Sequence, residues 1–324
     1  MGGVAALARA AGFRVTGCDS AVYPPMSTQL RELGIEIHEG FDASQLDPAP
    51  DCIVVGNVMS RGNEAVEAML DMGIPHTSGP RWLADNVLHD RHVLAVAGTH
   101  GKTTTASMLA WILDDAGKAP GYLIGGIPTN FGVSASFGDS EFFVVEADEY
   151  DTAFFDKRAK FVHYGPRTLI LNNLEYDHAD IYADMDAILW QFHQLLRTVP
   201  SSGRIIVNNA DDNLRDLINR GCWTPIETFG SGKGGDWSGK FMDAAERRIC
   251  ISDPARKSVE VRWALGGRHN LENAVAAVAA ARSAGVTLEQ ALGALSRFEG
   301  VKRRMERTAT VADIAIYDDF AHHP

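Results

Sequence analysis

Short apolar runs alternate with longer stretches in which apolar residues recur every three or four positions. The opening MGGVAALARAAG reads as a helix already under way, with no strand before it. FRVTGCD, ending in Asp19, reads as a strand. PPMSTQLRELG reads as a helix that starts at Pro24 and Pro25 and stops at Gly34. IEIH, DCIVVG, the helix NEAVEAMLDMG and the strand IPHTS continue the rhythm. Strand–helix alternation of this kind predicts an α/β fold with a parallel sheet covered on both faces.

A second region begins near Arg91. HVLAVAG is nearly all apolar, which suits the buried centre of a parallel sheet. FFVVEAD, TLILNN and GRIIVNN read as further strands, and KTTTASMLAWILDDAG, ADMDAILWQFHQLLRTV and HNLENAVAAVAAARSAG as long helices. From about Gly230 to Trp263 the pattern changes to short alternating runs with turns, which predicts an antiparallel meander appended to the sheet. The chain closes on IAIYDDFAHHP, a strand followed by the first residues of a loop. Both ends read as cut, so a longer parent protein is expected.

The 324 residues are 45% hydrophobic and 22% charged, as befits two globular domains, and the net charge of −12 argues against nucleic acid as the main partner. No apolar run is long enough for a membrane span and no basic, apolar leader is present, so a cytoplasmic setting is expected. Cys18, Cys52, Cys222 and Cys250 are scattered without ligand spacing and read as reduced thiols. The pattern sets no oligomeric state.

Candidate chemistry concentrates in five stretches. AVAGTHGKTTTASMLAW places Gly98, Thr99, His100, Gly101, Lys102, Thr103 and Thr104 between a strand and a helix, the context of a phosphate-binding loop. Lys102 would reach the outer phosphates and Thr103 would ligate Mg²⁺. The general loop pattern wants glycine where this chain has Val96. VVEADEYD places Glu146, Asp148, Glu149 and Asp151 after a buried strand, either as a solvated acidic loop or around a cation. LNNLEYDHADIY puts Asn172, Asn173, Glu175, Asp177 and His178 at a strand's carboxyl end, where open α/β sheets hold ligands. GGRHNLENAVAA carries His269, Asn270 and Asn273 at a helix start, as a cap or as an adenine contact. FEGVKRRMERT carries Lys302, Arg303 and Arg304, as a solvated run or as a clamp on a terminal phosphate. Kinase and guanine-recognition motifs are absent.

These five stretches, in this order, resemble the Mur ligases, ATP-dependent amide-forming enzymes of peptidoglycan synthesis. The family's loop is GT-x-GK-T-T, which accommodates Val96. The resemblance covers essentially the whole chain and lies in the branch that uses UDP-N-acetylmuramate. VTGCDSAVYPPMSTQL, VVGNVMSRGNEAVEA, HTSGPRWLA, IGGIPTNFGVSA and EADEYDTAFFDKRAKFVHYGPRTLILNNLEYDHADIY are more similar to its tripeptide-adding members, which recycle cell-wall peptide, than to its L-alanine-adding ones.

The resemblance implies a Rossmann-like UDP-sugar-binding domain over 1–90 lacking its first strand, and a central P-loop α/β domain over 91–309. Residues 310–324 would then open an amine-donor domain that is otherwise missing. It implies ATP and Mg²⁺ as cofactors, and UDP-N-acetylmuramate and the murein tripeptide as substrates. Lys102, His178, Arg304 and His322 are the implied catalytic residues. Gly98 to Thr104, Asn270, Asn273, Arg303 and Arg304 would bind nucleotide, and Thr103, Glu146 and His178 would bind metal. Gly2, Gly3, Asp19, Ser20, Ser60, Asn130 and Ser134 would contact the UDP-sugar. Two departures stand out: His193 occupies the place of a carbamylated lysine found in several relatives, and Phe320 stands where the L-alanine-adding relatives usually have tyrosine. A chain without the amine-donor domain is expected to bind without ligating.

Overall fold

A computed structural model describes residues 1–319 apart from Pro25, Asp180, Lys233, Met305 and Asp313. The chain starts with helix α1 (Gly2–Ala10), followed by strand β1 (Thr16–Asp19), helix α2 (Met26–Glu32) and strand β2 (Glu36–Glu39). Strand β3 (Ile53–Val55), helix α3 (Glu64–Asp71), strand β4 (His76–Ser78) and helix α4 (Gly79–Leu83) follow. β1 pairs parallel with β2 and β3 parallel with β4, as two separate ribbons. The rhythm expected of this region is therefore present. Each start has a local cause: the Asn63 side chain caps α3 at Val66 N, and Ser78 caps α4 at Arg81 N.

Strand β5 (His92–Ala97) leads into helix α5 (Lys102–Asp115), then strands β6 (Gly121–Leu123), β7 (Ala135–Ser136) and β8 (Phe142–Glu146). A hairpin of β9 (Asp151–Ala153) and β10 (Asp156–Ala159) precedes β11 (Thr168–Leu171), helix α6 (Met185–Leu196), β12 (Arg204–Asn208), helix α7 (Asp212–Asn219) and β13 (Ile226–Ser231). The appendage consists of β14 (Trp237–Phe241), β15 (Arg248–Ser252) and β16 (Ser258–Arg262). Helices α8 (Arg268–Ala281) and α9 (Leu288–Leu295) and the hairpin β17 (Glu306–Val311) and β18 (Ile314–Asp318) complete the described chain.

The central sheet has ten strands in the order β16-β15-β14-β13-β12-β11-β5-β8-β6-β7. β5 lies in the middle, parallel to both neighbours, with Val96 opposite Ile170 and Glu146. Alternate residues of each central strand feed opposite cores. Leu94, Val96, Val144, Ile170 and Ile206 meet α5, α8 and α9, while Val93, Ala95, Phe143, Leu169 and Ile205 meet α6, α7 and α1. The meander differs from expectation at one joint. β14 runs antiparallel to β15, but it lies parallel to β13 across the short link 232–236, with Phe229 opposite Trp237. Gly232 and Gly234, at φ 124° and 125°, let the chain double back there.

The β9–β10 hairpin joins the two halves. Phe154 packs among Leu46, Val55, Val66, Met69 and Ile74, and Phe155 meets His76 edge-on with ring centroids 5.3 Å apart. Among the described residues no helix is long and apolar enough to cross a membrane.

Candidate active site

Parallel strands bring their carboxyl ends to one edge, so the loops after β5, β8 and β11 converge. The loop after β5 needs its glycines. Gly98 and Gly101 have φ of 139° and 78°. A Cβ on Gly98 would lie 2.9 Å from Asn173 O, and one on Gly101 would lie 2.5 Å from Asn273 Oδ1. Val96, by contrast, is fully buried inside β5, so a glycine there would serve no turn.

The loop is pinned from the β11 side. Thr99 N donates to Asn173 O at 3.1 Å, and His100 N to Asn173 Oδ1 at 2.7 Å. Asn172 Nδ2 donates to Thr105 Oγ1 at 2.9 Å from a buried position. These contacts leave the first-turn amides of α5 pointing out of the helix start, where no intrahelical carbonyl can reach them.

Helix capping separates this edge from the rest of the chain. α3, α4, α6, α7 and α9 are capped by the side chains of Asn63, Ser78, Asp184, Asp211 and Thr287. α5 and α8 have no side-chain cap, and both begin at stretches expected to meet nucleotide. An uncapped start keeps its N–H groups and its positive dipole end available for an anion.

The four carboxylates after β8 are not equivalent. Asp148 pairs with Lys160 at 2.6 Å, Asp151 with Lys157, and Glu149 with Lys102 at 2.9 Å. Glu146 forms no ion pair with a lysine among the described residues: it accepts from Thr103 Oγ1 at 2.8 Å and from Gly125 N at 2.6 Å. Burial pushes its pKa above the usual carboxylate range, against the pull of those two donors and of nearby Lys102.

Glu149 is the hub that the sequence left in a general acidic cluster. Its side chain is only 4% exposed. It accepts from Lys102 Nζ and from His178 Nε2, each at 2.9 Å, and its backbone oxygen takes the Tyr182 hydroxyl. Lys102 Nζ also donates to Gly98 O at 2.6 Å and Thr99 O at 3.2 Å, folding back over its own loop. The hydrogen bond to Glu149 raises the pKa of His178, outweighing burial. His178 has φ of 59°, a strained backbone for a side-chain-bearing residue, with its ring 4.3 Å from that of Tyr150.

Thr103 and Glu146 meet directly, and Lys102 and His178 meet through Glu149. Thr104 lies in the first turn of α5. Asn273 is buried against Gly101 and 3.4 Å from Asn172 Nδ2, which makes it part of the loop's packing. Asn270 is exposed at the start of α8, its amide on Gly266 O at 2.8 Å. Arg303 has a positive φ of 58° and lies 3.5 Å from Asp318, and Arg304 N donates to Val301 O.

Gly2 and Gly3 sit in the first turn of α1, where a Cβ would strike Met26 Sδ at 2.3 Å or Leu123 Cδ1 at 2.5 Å. Asp19 ends β1 and accepts from Ala21 N, Ser20 and Ser60 are exposed, and Ser134 is buried. Both polar groups of Asn130 are spent on the main chain of Arg297 and Glu299. His193 lies near the C-terminus of α6 against Trp223, by the amino ends of the strands and away from the loop edge. His322 and Phe320 fall outside the described residues.

Residues 1–91 match the family model described as Mur ligase family, catalytic domain, and residues 96–281 match the Mur ligase middle domain. The UDP-N-acetylmuramate–L-alanyl-gamma-D-glutamyl-meso-2,6-diaminoheptandioate ligase of Escherichia coli (strain K12) is 55% identical, covering 100% of this chain and 70% of that protein. The UDP-N-acetylmuramate–L-alanine ligase of Arthrobacter sp. (strain FB24) is 34% identical over 100% of this chain and 67% of its own length. A crystal structure of the tripeptide-using ligase from Neisseria meningitides superposes with a TM-score of 0.88 at 56% identity, covering 94% of this chain and 96% of that one.

Proposed function

The chain belongs to the Mur ligase family, and from that premise we propose that it joins the lactyl carboxylate of UDP-N-acetylmuramate to the amine of L-Ala-γ-D-Glu-meso-diaminopimelate, with ATP as the driving reagent. The identity gap between the tripeptide-using and the L-alanine-using relatives, 55% against 34%, favours the tripeptide. The single observation that carries the chemistry is the meeting of an uncapped phosphate loop with the Thr103–Glu146 pair and the Lys102–Glu149–His178 chain at one sheet edge.

A carboxylate is a poor acyl donor until one oxygen becomes part of a phosphate. The first step is therefore transfer of the γ-phosphoryl group to the lactyl carboxylate, with loss of ADP. The peptide's α-amine then attacks the carbonyl carbon, and the tetrahedral adduct collapses to amide and phosphate. The start of α5 receives the phosphate chain through its amides. Lys102 would leave Gly98 O and Thr99 O for phosphate oxygens, and Arg304 would add positive charge.

The residues present fit one Mg²⁺. Glu146 is a buried carboxylate without a cationic side-chain partner, and it already touches the Thr103 hydroxyl. No group of three or more metal-binding side chains exists among the described residues, so phosphates and water would complete the shell. Bound there, the ion would neutralise the phosphate charge. A second ion on His178 would have to displace the hydrogen bond between its Nε2 and Glu149.

The test is to supply ATP, Mg²⁺ and UDP-N-acetylmuramate with either the tripeptide or L-alanine, and to follow ADP and the coupled product. Coupling of the tripeptide in preference to L-alanine supports the reading, and preferred coupling of L-alanine reverses it. Nucleotide and UDP-sugar binding without any coupled product would mark the chain as a binding unit.

A further inference from the structure

Asn130, an expected sugar contact, spends both ends of its amide on the main chain. Residues 125–130 run as a bend, a single bridge residue and a turn between Glu146 and residues 297–302. At one end Gly125 N donates to the buried Glu146 at 2.6 Å. At the other the segment zips to residues 297–302. Lys302 N donates to Ile127 O at 3.0 Å, Thr129 N donates to Gly300 O at 3.0 Å, and Pro128 bridges antiparallel to Val301. Asn130 closes the zip with both ends of its amide, Nδ2 to Arg297 O at 3.0 Å and Oδ1 from Glu299 N at 2.9 Å.

The layer is thin in the middle. A Cβ on Gly126 would lie 2.8 Å from Thr103 Cγ2 and 3.0 Å from Val301 Cγ1. Only a bare glycine backbone therefore separates the residue beside Lys102 from Val301, the residue before the basic run. The far side is held firmly as well, since Phe131 stacks on Tyr122 at 4.7 Å.

We infer that residues 125–130 form a brace that fixes the basic run Lys302–Arg304 beside the phosphate loop, with Asn130 as its positioning residue. The inference rests on the nucleotide reading of that loop. Asn130 touches no phosphate itself; it sets the main chain from which Arg303 and Arg304 project. One brace thus ties Glu146, through Gly125 N, to the segment that carries the basic run.

The experiment is calorimetric titration of the 324-residue chain with ATP and Mg²⁺, and separately with UDP-N-acetylmuramate, paired with thermal melts to confirm folding. Asn130→Ala is expected to weaken Mg-ATP binding about tenfold and to leave UDP-sugar binding within about twofold. In an Arg304→Ala background the same change should add less than about twofold, because both act through one contact set. Wild-type Mg-ATP affinity in Asn130→Ala would overturn the brace, as would full additivity of that change with Arg304→Ala. Loss of UDP-sugar affinity alone would return Asn130 to the sugar site. Failure of the unmodified chain to bind Mg-ATP would instead bring down the nucleotide reading itself.

Discussion

The two ligand edges of this molecule are built to different plans. At the central edge the strand before the loop is almost wholly buried, and Asn172, Asn173 and Asn273 hold the loop in one shape. At the N-terminal edge β1 is mostly exposed, and Asp19 accepts from the amide two residues on. β5 is flanked by a parallel strand on each side, whereas β1 belongs to a two-stranded ribbon with β2, which accounts for the difference in burial. Charge on a transferring phosphoryl group is best met by donors already in place.

The comparison is broken most severely at Lys102. Lys102→Ala is expected to lower ADP release in the ligation assay about 10²–10³-fold, with UDP-sugar binding intact. Equal loss of both would mean that the two edges are not separable. Glu146→Gln keeps the shape but removes the charge of the one carboxylate without a lysine. The Mg²⁺ concentration needed for half-maximal nucleotide binding should rise about tenfold, while metal-free nucleotide binding stays put.

A smaller effect is expected from Gly101→Ala, which meets Asn273 and a left-handed backbone at once. A loss of about 1–3 kcal/mol should appear in denaturant unfolding. The matching change at Gly17, where a Cβ meets nothing within 4 Å, should cost far less.

His178 sharpens the picture through pH. Its pKa is raised above the ordinary 6.5 by Glu149, so its contribution to stability is fully present below that value. That contribution is lost as pH rises through the elevated folded-state value. Nucleotide-free protein should therefore lose stability across that window, and Glu149→Gln should flatten the loss and bring the imidazole NMR titration back down. The smallest effects belong to the exposed edge: Asp19→Ala and Ser20→Ala should each weaken UDP-N-acetylmuramate binding only about threefold, without touching Mg-ATP.

Much of this was legible in the sequence. The strand–helix rhythm and the loop from Gly98 to Thr104 follow from apolar runs ending in small or polar residues, whereas Glu146 is set beside Thr103 only by the resemblance to the Mur ligases and by the fold. The rest depended on contacts between segments far apart in sequence. Glu149 lies among four carboxylates, and only the fold shows that it alone reaches both Lys102 and His178. Asn130 sits in a loop that reads as a sugar contact until residues 297–299 are seen beside it. The β9–β10 hairpin escaped notice because DTAFFDKRA is too short and too charged to show a period, with its two phenylalanines turned to the N-terminal half. The parallel step from β13 to β14 was hidden by a glycine-rich link that reads as an ordinary hairpin turn.

The central claim is that Mg-ATP seats on the start of α5 with its metal at Thr103 and Glu146. The direct test is a crystal structure of the chain with Mg²⁺ and a non-hydrolysable ATP analogue. The account predicts metal density about 2.0–2.1 Å from Thr103 Oγ1, the phosphates on the amides of residues 101–104, and Lys102 turned away from Gly98 O toward them. Nucleotide bound elsewhere, or bound at the loop with no metal near Thr103 and Lys102 still folded back, would contradict it.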